Sequence, residues 1–170
     1  MSMRIVVTGI GLVTPIGSGN QGVWEGFLSG RSGFAPVQSF DSSAFNVHVG
    51  AEVRDFQPEA HVRRQDPSRL GRASQFAIAA ARMALADAGC AGFGGFGPFD
   101  LDEKAPPDPA GAAGVSRSVS SSRAGVAMGT TSGEPREVER FDDQFLAGRL
   151  DAVGPELISR YPCHLIAAHV

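Results

Sequence analysis

The chain has 170 residues, of which 42% are hydrophobic and 19% are charged, and its formal net charge at pH 7 is −3. This length suffices for one domain with a hydrophobic core, and the mild acidity argues against a nucleic-acid groove. No apolar run is long enough to span a membrane, and the start of the chain lacks a signal-sequence pattern. The two cysteines, Cys90 and Cys163, have neither zinc-site nor disulfide-framework spacing. We therefore expect a reduced, cytoplasmic protein without a metal or other cofactor.

The first predicted elements are a strand and a helix. A compact β-branched run, Ile5 to Val7, breaks into glycine, which is typical of a strand buried on both faces. In "NQGVWEGFLSG", Asn20 is a good N-cap and Gly30 is placed to end a helix. The apolar residues between them recur at helical spacing: Val23, Trp24, Phe27 and Leu28.

The middle of the chain contains the clearest helix. "NVHVGAEV", residues 46–53, alternates as a strand does. In "DPSRLGRASQFAIAAARMALADAG", Pro67 lies near the predicted helix start and Gly89 lies just past its end. One apolar face is predicted for this helix: Leu70, Ala73, Phe76, Ala77, Ala80, Met83, Ala84 and Ala88. Its many alanines predict close packing against a neighbouring element.

The composition changes sharply after this helix. Residues 91–122 are rich in Gly, Pro, Ser and Ala without a period, which indicates a long surface loop or disordered insert. "AGVAMGTT" then predicts a buried strand, and "SGEPREVERFDDQFLAG" predicts a helix. A short helical stretch, "GPELISR", leads into "YPCHLIAAHV", which resembles the opening of a buried helix. This order of elements predicts an α/β layered fold.

Two glycine-rich segments raise the question of nucleotide binding. Gly9 and Gly11 supply two glycines of GxGxxG, but Thr14 stands at the third position and Pro15 follows it. A structural turn is therefore the better interpretation, and a nucleotide-binding domain is the weakest functional hypothesis. "GTTSGEP", residues 129–135, lacks the Lys-Ser/Thr pair of a phosphate-binding loop.

Candidate catalytic groups are few. Cys163 could be a nucleophile with His164 and His169 as bases, but this spacing favours a packed core cysteine. His48 and His61 are isolated in the sequence and are expected in solvated or hydrogen-bonded surface roles. The acidic residues of the late helix are expected on its solvated face: Glu137, Glu139, Asp142 and Asp143. The sequence shows no metal-binding constellation.

Four segments together resemble the N-terminal half of a β-ketoacyl-acyl carrier protein synthase, a condensing enzyme of the thiolase fold. They are "RIVVTGIGLVTPIG", "VWEGFLSGRSG", "RLGRASQFAIAAARMALADAG" and "AGVAMGTTSGEP". The resemblance spans almost the whole chain, residues 1–170, except the Gly/Pro/Ser-rich insert at about 91–122. It implies a thiolase-like layered α/β fold, of which this chain holds an incomplete, N-terminal half.

The resemblance also implies a function. Such enzymes hold an acyl group on a cysteine and condense it with a decarboxylating malonyl thioester on acyl carrier protein, in fatty acid or polyketide synthesis. Cys163 does not match the family's nucleophile, which we expect beyond residue 170, so no catalytic residue is assigned. Ser132 is a weak candidate for lining the acyl pocket. We expect a chain that is inactive alone and that forms a homodimer or heterodimer, or joins a C-terminal half.

An alternative hypothesis is that the chain is a ketosynthase-like binding or heterodimer subunit that performs no catalysis itself.

Overall fold

The computed structural model describes residues 4–93, 117–119, 124–149, 151, 153–154 and 160–170. Its helices are α1 (Gly19–Leu28), α2 (Arg72–Asp87), α3 (Pro135–Leu146) and α4 (His164–His169). Two 3₁₀ turns lie at Pro58–Ala60 and Pro67–Arg69. The short strands are β1 (Val13–Thr14), β2 (Gly17–Ser18), β3 (Phe34–Pro36), β4 (Val49–Ala51), β5 (Cys90–Phe93) and β6 (Arg117–Val119).

Helix α1 begins close to the predicted position. Ser18, rather than the predicted Asn20, is the N-cap residue. Gly30 follows the end of the helix with a φ of +63°, a conformation that glycine adopts at little cost. The chain thus turns away where the local sequence predicts that it should.

Helix α1 packs against the β1–β2 hairpin through its small residues. A Cβ at Gly26 would lie 2.6 Å from the carbonyl oxygen of Ile16, so only glycine permits this approach. Val23 is buried beside it. The larger members of the predicted apolar face are exposed, with accessible fractions of 63–71%: Trp24, Phe27 and Leu28.

The strand predicted within residues 46–53 is confirmed as β4, which pairs antiparallel with β3. Just beyond it, the carboxylate of Glu52 accepts hydrogen bonds from the backbone N–H groups of Ser39 (3.0 Å) and Gln38 (3.1 Å). These bonds, with Ser39 contributing most, lower the pKa of Glu52 to about 2. The carboxylate therefore holds the segment that follows β3 in place beside the end of β4.

Helix α2 confirms the strongest prediction made from the sequence. Pro67 starts a 3₁₀ turn rather than the helix itself, and Gly89 follows the helix end with a φ of +68°. Leu70 is buried as predicted. The most deeply buried positions within α2, Ser74 and Ala79, lie outside the predicted face.

The opening loop lies directly on α2. A Cβ at Gly9 would overlap the carbonyl oxygen of Ala84, and a Cβ at Gly11 would overlap the carbonyl oxygen of Ala80. The predicted close packing of the alanine-rich helix is therefore confirmed, and its partner is the backbone of this loop. Glycine is required at both positions because the two backbones touch.

An aromatic and arginine stack joins α2 to the preceding segment. The rings of Phe56 and Phe76 meet edge to face at 4.9 Å, and the guanidinium of Arg72 lies 4.5 Å from the Phe76 ring centre. Arg72 also donates a 2.9 Å hydrogen bond to the carbonyl oxygen of Val53. These contacts hold the chain that follows β4 against the first turns of α2.

The predictions of two buried strands, at Ile5 to Val7 and in "AGVAMGTT", are wrong. Ile5, Val6 and Val7 lie in an unpaired segment and are 92%, 71% and 81% exposed. Val126 and Met128, in the second segment, are 51% and 39% exposed. A buried strand needs hydrogen-bonding neighbours on both sides, and none of the described segments pairs with either run.

The predicted insert is only partly within the described residues. Its ends carry β5 and β6, which pair in parallel, so the prediction of an irregular segment is wrong there. Residues 94–116 and 120–123 lie outside the described residues, as does most of "GPELISR". Among the described residues the strands pair only in twos, so the predicted layered sheet is not formed by them.

Candidate functional site

A buried carboxylate forms the most connected polar cluster in the described part of the chain. Glu134 is 2% exposed, and its two oxygens accept hydrogen bonds from the backbone N–H groups of Ser74 (2.7 Å) and Ala73 (3.0 Å). These N–H groups belong to the first turn of α2, where no partner exists within the helix. Glu134 therefore caps α2 from 60 residues away along the chain, in the orientation that the helix dipole favours.

Gly71 is part of the same contact. A Cβ at Gly71 would overlap the carboxyl group of Glu134. Gly71 is also the N-cap residue of α2, and no side chain of its own closes the helix end. The missing local cap was the one sequence signal that could have pointed to an acceptor supplied from elsewhere.

Ser74 extends the cluster to the last helix. Its hydroxyl oxygen lies 3.1 Å from Nδ1 of His169, and the serine is 1% exposed. We call Glu134, Ser74 and His169 the α2 network. Glu134 contacts the amide of Ser74 rather than His169, and the hydroxyl is closed off from solvent. The network is therefore suited to positioning α2, α3 and α4 rather than to nucleophilic attack.

Glu137 lies in the first turn of α3, and the prediction that it is solvated is wrong. It is 4% exposed, and its Oε1 accepts a 3.0 Å hydrogen bond from Arg140. Nη1 of Arg160 lies 3.9 Å from the other oxygen, Oε2, which accepts no hydrogen bond from the described residues. Burial of this carboxylate against two arginines follows from the packing of α3 and could not be inferred from its helix alone. The other acidic residues of this helix are exposed, as predicted: Glu139, Asp142 and Asp143.

Cys163 is exposed, so the prediction of a packed core cysteine is wrong. It is the N-cap residue of the short helix α4. A Cβ at Gly133 would lie 2.9 Å from its sulfur. His169 bonds to Ser74 instead of approaching the thiol, and His164 is exposed. The structure therefore does not bring the candidate nucleophile and bases together.

Ser132 is exposed on the bend between residues 131 and 133 that leads to α3. Its neighbour Gly133 donates a 3.1 Å hydrogen bond from its backbone N–H to Oγ1 of Thr130 and faces Cys163. Gly133 thus permits close approach of this segment to the chain around Cys163. Ser132 is placed beside that contact.

The opening glycine loop has a structural use that accounts for its sequence. Besides the contacts of Gly9 and Gly11 with α2, the N–H of Ile10 donates a 2.8 Å hydrogen bond to Oδ2 of Asp87. A donor that a phosphate would need is therefore engaged by the protein itself. The preference for a structural turn at this loop is confirmed.

His48 and His61 differ in their surroundings. His48 is exposed, as predicted, and lies 3.3 Å from the hydroxyl of Ser42. His61 is half-buried and stacks on Phe56 at 5.5 Å between ring centres. Burial, and next the positive charges of Arg82 and Arg63, lower the pKa of His61.

The lowered pKa of His61 predicts a loss of stability in acid. Between the ordinary histidine pKa of about 6.5 and the lower folded-state pKa, the unfolded chain binds more protons, so stability decreases as the pH is lowered through this window. We expect His61→Gln to flatten that dependence. Urea unfolding at several values between about pH 5 and 7.5 measures it, with His48→Gln as the control. Identical pH dependence in His61→Gln and the parent chain would contradict this assignment.

Two kinds of feature are absent from the described residues. Among them, no three His, Cys, Asp or Glu side chains come together as a metal site would require. No helix that the structure describes is long and apolar enough to cross a membrane.

Two solved structures that resemble this chain are ketosynthases. The ishigamide ketosynthase/chain length factor superimposes with a TM-score of 0.67 and 28% identity, covering 96% of this chain and 36% of its own. A β-ketoacyl synthase from Burkholderia phymatum STM815 gives a TM-score of 0.65 and 26% identity, covering 98% of this chain and 36% of its own. The chain therefore shares the thiolase-like fold of part of these proteins.

Proteins that are similar to this chain in sequence include 3-oxoacyl-[acyl-carrier-protein] synthases. The 3-oxoacyl-[acyl-carrier-protein] synthase 2 of Synechocystis sp. (strain PCC 6803) is 40% identical over 85 residues, which are 50% of this chain and 20% of that protein. The protein of the same name from Staphylococcus aureus (strain MRSA252) is 36% identical over 87 residues, 51% of this chain and 21% of that protein. The match thus spans about a fifth of the length of these relatives. The family model for the N-terminal domain of β-ketoacyl synthase matches residues 2–92, and the chain belongs to that family.

Proposed function

We propose that these residues form the N-terminal part of a β-ketoacyl-acyl carrier protein synthase that condenses acyl and malonyl thioesters with loss of carbon dioxide. The observation that carries the proposal is the family match over residues 2–92, which includes both the glycine loop and α2. The structural fit to ketosynthases over 96% of the chain supports it. Both fatty acid and polyketide synthesis use this chemistry.

In that reaction, the role of this chain is to form part of the enzyme's scaffold and to hold its elements in position. The glycine loop and α2 form one close-packed unit, and the α2 network ties this unit to α3 and α4. Cys163 is exposed, and His169 contacts Ser74 rather than the thiol, which supports our proposal that Cys163 is not the nucleophile of this reaction. The thiolate that carries the acyl group, and the bases that assist it, would come from residues outside these 170. Ser132 is our proposed contribution of this chain to the acyl pocket.

Partners follow from the proposed reaction. Acyl carrier protein would deliver both thioesters. The exposed apolar residues at Ile5 to Val7 and on α1 would be covered in the working enzyme by further ketosynthase residues, on the same polypeptide or another. A homodimer or heterodimer is part of this proposal.

A hybrid enzyme tests the proposal. Residues 4–93 of this chain would replace the matching segment of the Synechocystis synthase, and carrier-protein-dependent condensation would be measured. We expect activity within about tenfold of the parent, a difference of no more than about 1.4 kcal/mol in the barrier, because the residues that touch the thioesters stay in place. The 170-residue chain alone should give no condensation product.

The controls separate folding from chemistry. A hybrid that also carries Gly11→Val should lose activity together with its folded structure, which circular dichroism would report. A folded hybrid without activity would contradict the proposed function. Condensation by the 170-residue chain that disappears in Cys163→Ala would contradict the assignment of the nucleophile to other residues.

The alternative function is a ketosynthase-like subunit without catalysis of its own. The exposure of Cys163 and the engagement of His169 by Ser74 favour it over independent catalysis. The two proposals differ in the partner. The alternative requires a separate ketosynthase chain with its own cysteine, and co-purification of such a chain at equal stoichiometry would support it.

A further inference from the structure

A large cavity lies beside the N-terminal ends of α2 and α3. It measures about 850 Å³, within the usual range for small-molecule sites. Three parts of the chain line it: the residues that follow β3 and β4, the 3₁₀ turns with the start of α2, and the first two turns of α3. Neither Ser132 nor Cys163 lines it, so it is separate from the candidate acyl pocket.

The charged side chains of the described lining are four arginines and two glutamates: Glu52, Arg54, Arg72, Arg136, Glu137 and Arg140. Both glutamates are paired with an arginine. Nη2 of Arg54 lies 3.2 Å from Oε2 of Glu52. Nη1 of Arg140 lies 3.0 Å from Oε1 of Glu137. Two positive charges of this lining therefore remain, although the chain as a whole carries a formal net charge of −3.

Arg72 and Arg136 carry these two charges. Arg72 contacts only neutral groups, because it donates to the carbonyl oxygen of Val53 (2.9 Å) and lies over two phenylalanine rings. Arg136 is exposed, and within the described part of the chain it has neither a hydrogen bond nor an ion pair. Burial, and next the positive charge of Arg136, lower the pKa of Arg72, so the two guanidinium groups repel each other. An anion bound to both would relieve this repulsion.

The buried carboxylate of Glu137 is a second, independent observation. The residue is 4% exposed, and its Oε2 accepts no hydrogen bond from the described residues, while Nη1 of Arg160 lies 3.9 Å away. Buried polar atoms in proteins normally have a hydrogen-bond partner. Because Glu137 lines the cavity, a molecule bound there can supply the missing donor, and a hydroxyl group is such a donor.

These features define the chemistry of a ligand. Arginine binds phosphate through paired hydrogen bonds, and a phosphate monoester carries close to two negative charges at pH 7. This charge matches Arg72 and Arg136 better than a single carboxylate does. Uncharged polar side chains also line the cavity: Gln38, Ser39, Ser68 and Gln75. A hydroxylated ligand therefore fits this lining better than a hydrocarbon chain does.

We propose that the cavity binds a small hydroxylated phosphate monoester, with its phosphate at Arg72 and Arg136 and a hydroxyl group that donates to Oε2 of Glu137. This site goes beyond the condensing function and does not depend on it. The hybrid enzyme described above takes residues 4–93 from this chain and therefore lacks α3 and the complete cavity. Failure of one proposal would leave the other standing.

Glycerol 3-phosphate, n-propyl phosphate and glycerol test the site in the 170-residue chain. The first two share a phosphate and differ in hydroxyl groups, whereas glycerol has the hydroxyl groups without the phosphate. By calorimetry in a buffer without phosphate, we expect glycerol 3-phosphate to bind at one site. Its affinity should exceed that of n-propyl phosphate by about tenfold, or about 1.4 kcal/mol. Glycerol should give no measurable binding.

Two variants assign the binding to the named side chains. Arg136→Gln should weaken both phosphates by at least about tenfold. Arg149→Gln removes the same charge from an exposed arginine outside the cavity and should leave both affinities unchanged. Glu137→Gln replaces one carboxylate oxygen with an amide donor, so it should remove the preference for glycerol 3-phosphate over n-propyl phosphate. Circular dichroism reports whether each variant folds.

Three results would each overturn the proposal: no saturable binding of glycerol 3-phosphate, equal affinities for glycerol 3-phosphate and n-propyl phosphate, or equal effects of Arg136→Gln and Arg149→Gln. These comparisons use the parent chain and two variants of exposed arginines. They decide the outcome even if Glu137→Gln, which changes a buried residue, does not fold.

Discussion

Replacing Gly11 with alanine is expected to destabilise the chain by about 3 kcal/mol, near the upper end of the usual cost of overpacking. The added Cβ would overlap the carbonyl oxygen of Ala80, and this atom belongs to the backbone of α2. A flexible side chain could move aside, but a helix backbone cannot do so without breaking its hydrogen bonds. Urea unfolding followed by circular dichroism measures the effect.

Gly129→Ala is the matched control for this change. Gly129 has nothing within 4 Å of the position that a Cβ would take. We expect its replacement to alter the free energy of unfolding by no more than about 0.5 kcal/mol, as is usual for surface changes. If Gly11→Ala and Gly129→Ala unfolded at the same urea concentration, the close contact between the opening loop and α2 would be wrong.

Replacing Glu134 with alanine is expected to lower the free energy of unfolding by about 2–4 kcal/mol. Two backbone N–H groups of α2 would lose their charged acceptor and would remain largely shielded from water. Glu134→Gln keeps one acceptor oxygen and should lose about half as much. Amide hydrogen exchange provides the specific readout, since protection of Ala73 and Ser74 should fall more than that of amides in the middle of the helix.

The control for Glu134 is Glu139→Gln, an exposed carboxylate on α3. Its removal should change stability by less than about 0.5 kcal/mol. Unchanged exchange at Ala73 and Ser74 in Glu134→Ala would show that the carboxylate is not the cap of α2. A uniform loss of protection through the whole chain would instead indicate global unfolding, which the milder Glu134→Gln variant should avoid.

Local sequence predicted the elements whose ends depend on nearby residues. Gly30 and Gly89 follow α1 and α2 with positive φ, which is a property of the backbone at those positions. The motifs from the opening loop through α2 also carried the resemblance to β-ketoacyl synthases, and the family match over residues 2–92 bears it out. Each of these features depends on residues that are close to one another in the sequence.

Long-range packing decided the features that the sequence predicted wrongly. Ile5 to Val7 has the composition of a buried strand, but burial requires hydrogen-bonded neighbours, and the described residues provide none. Glu137 has the spacing of a solvated position, yet α3 turns it towards Arg140 and Arg160. Cys163 has the apolar neighbours of a core residue but lies at the surface where α4 begins.

The identity of the family and the positions of α1 and α2 are therefore determined by the sequence itself. The cap of α2 was decided only by the tertiary structure, because Glu134 and Ser74 are 60 residues apart and neither one signals the other. Hydrogen bonds and charge act over a few ångströms in space, and a sequence records which groups exist but not which of them become neighbours.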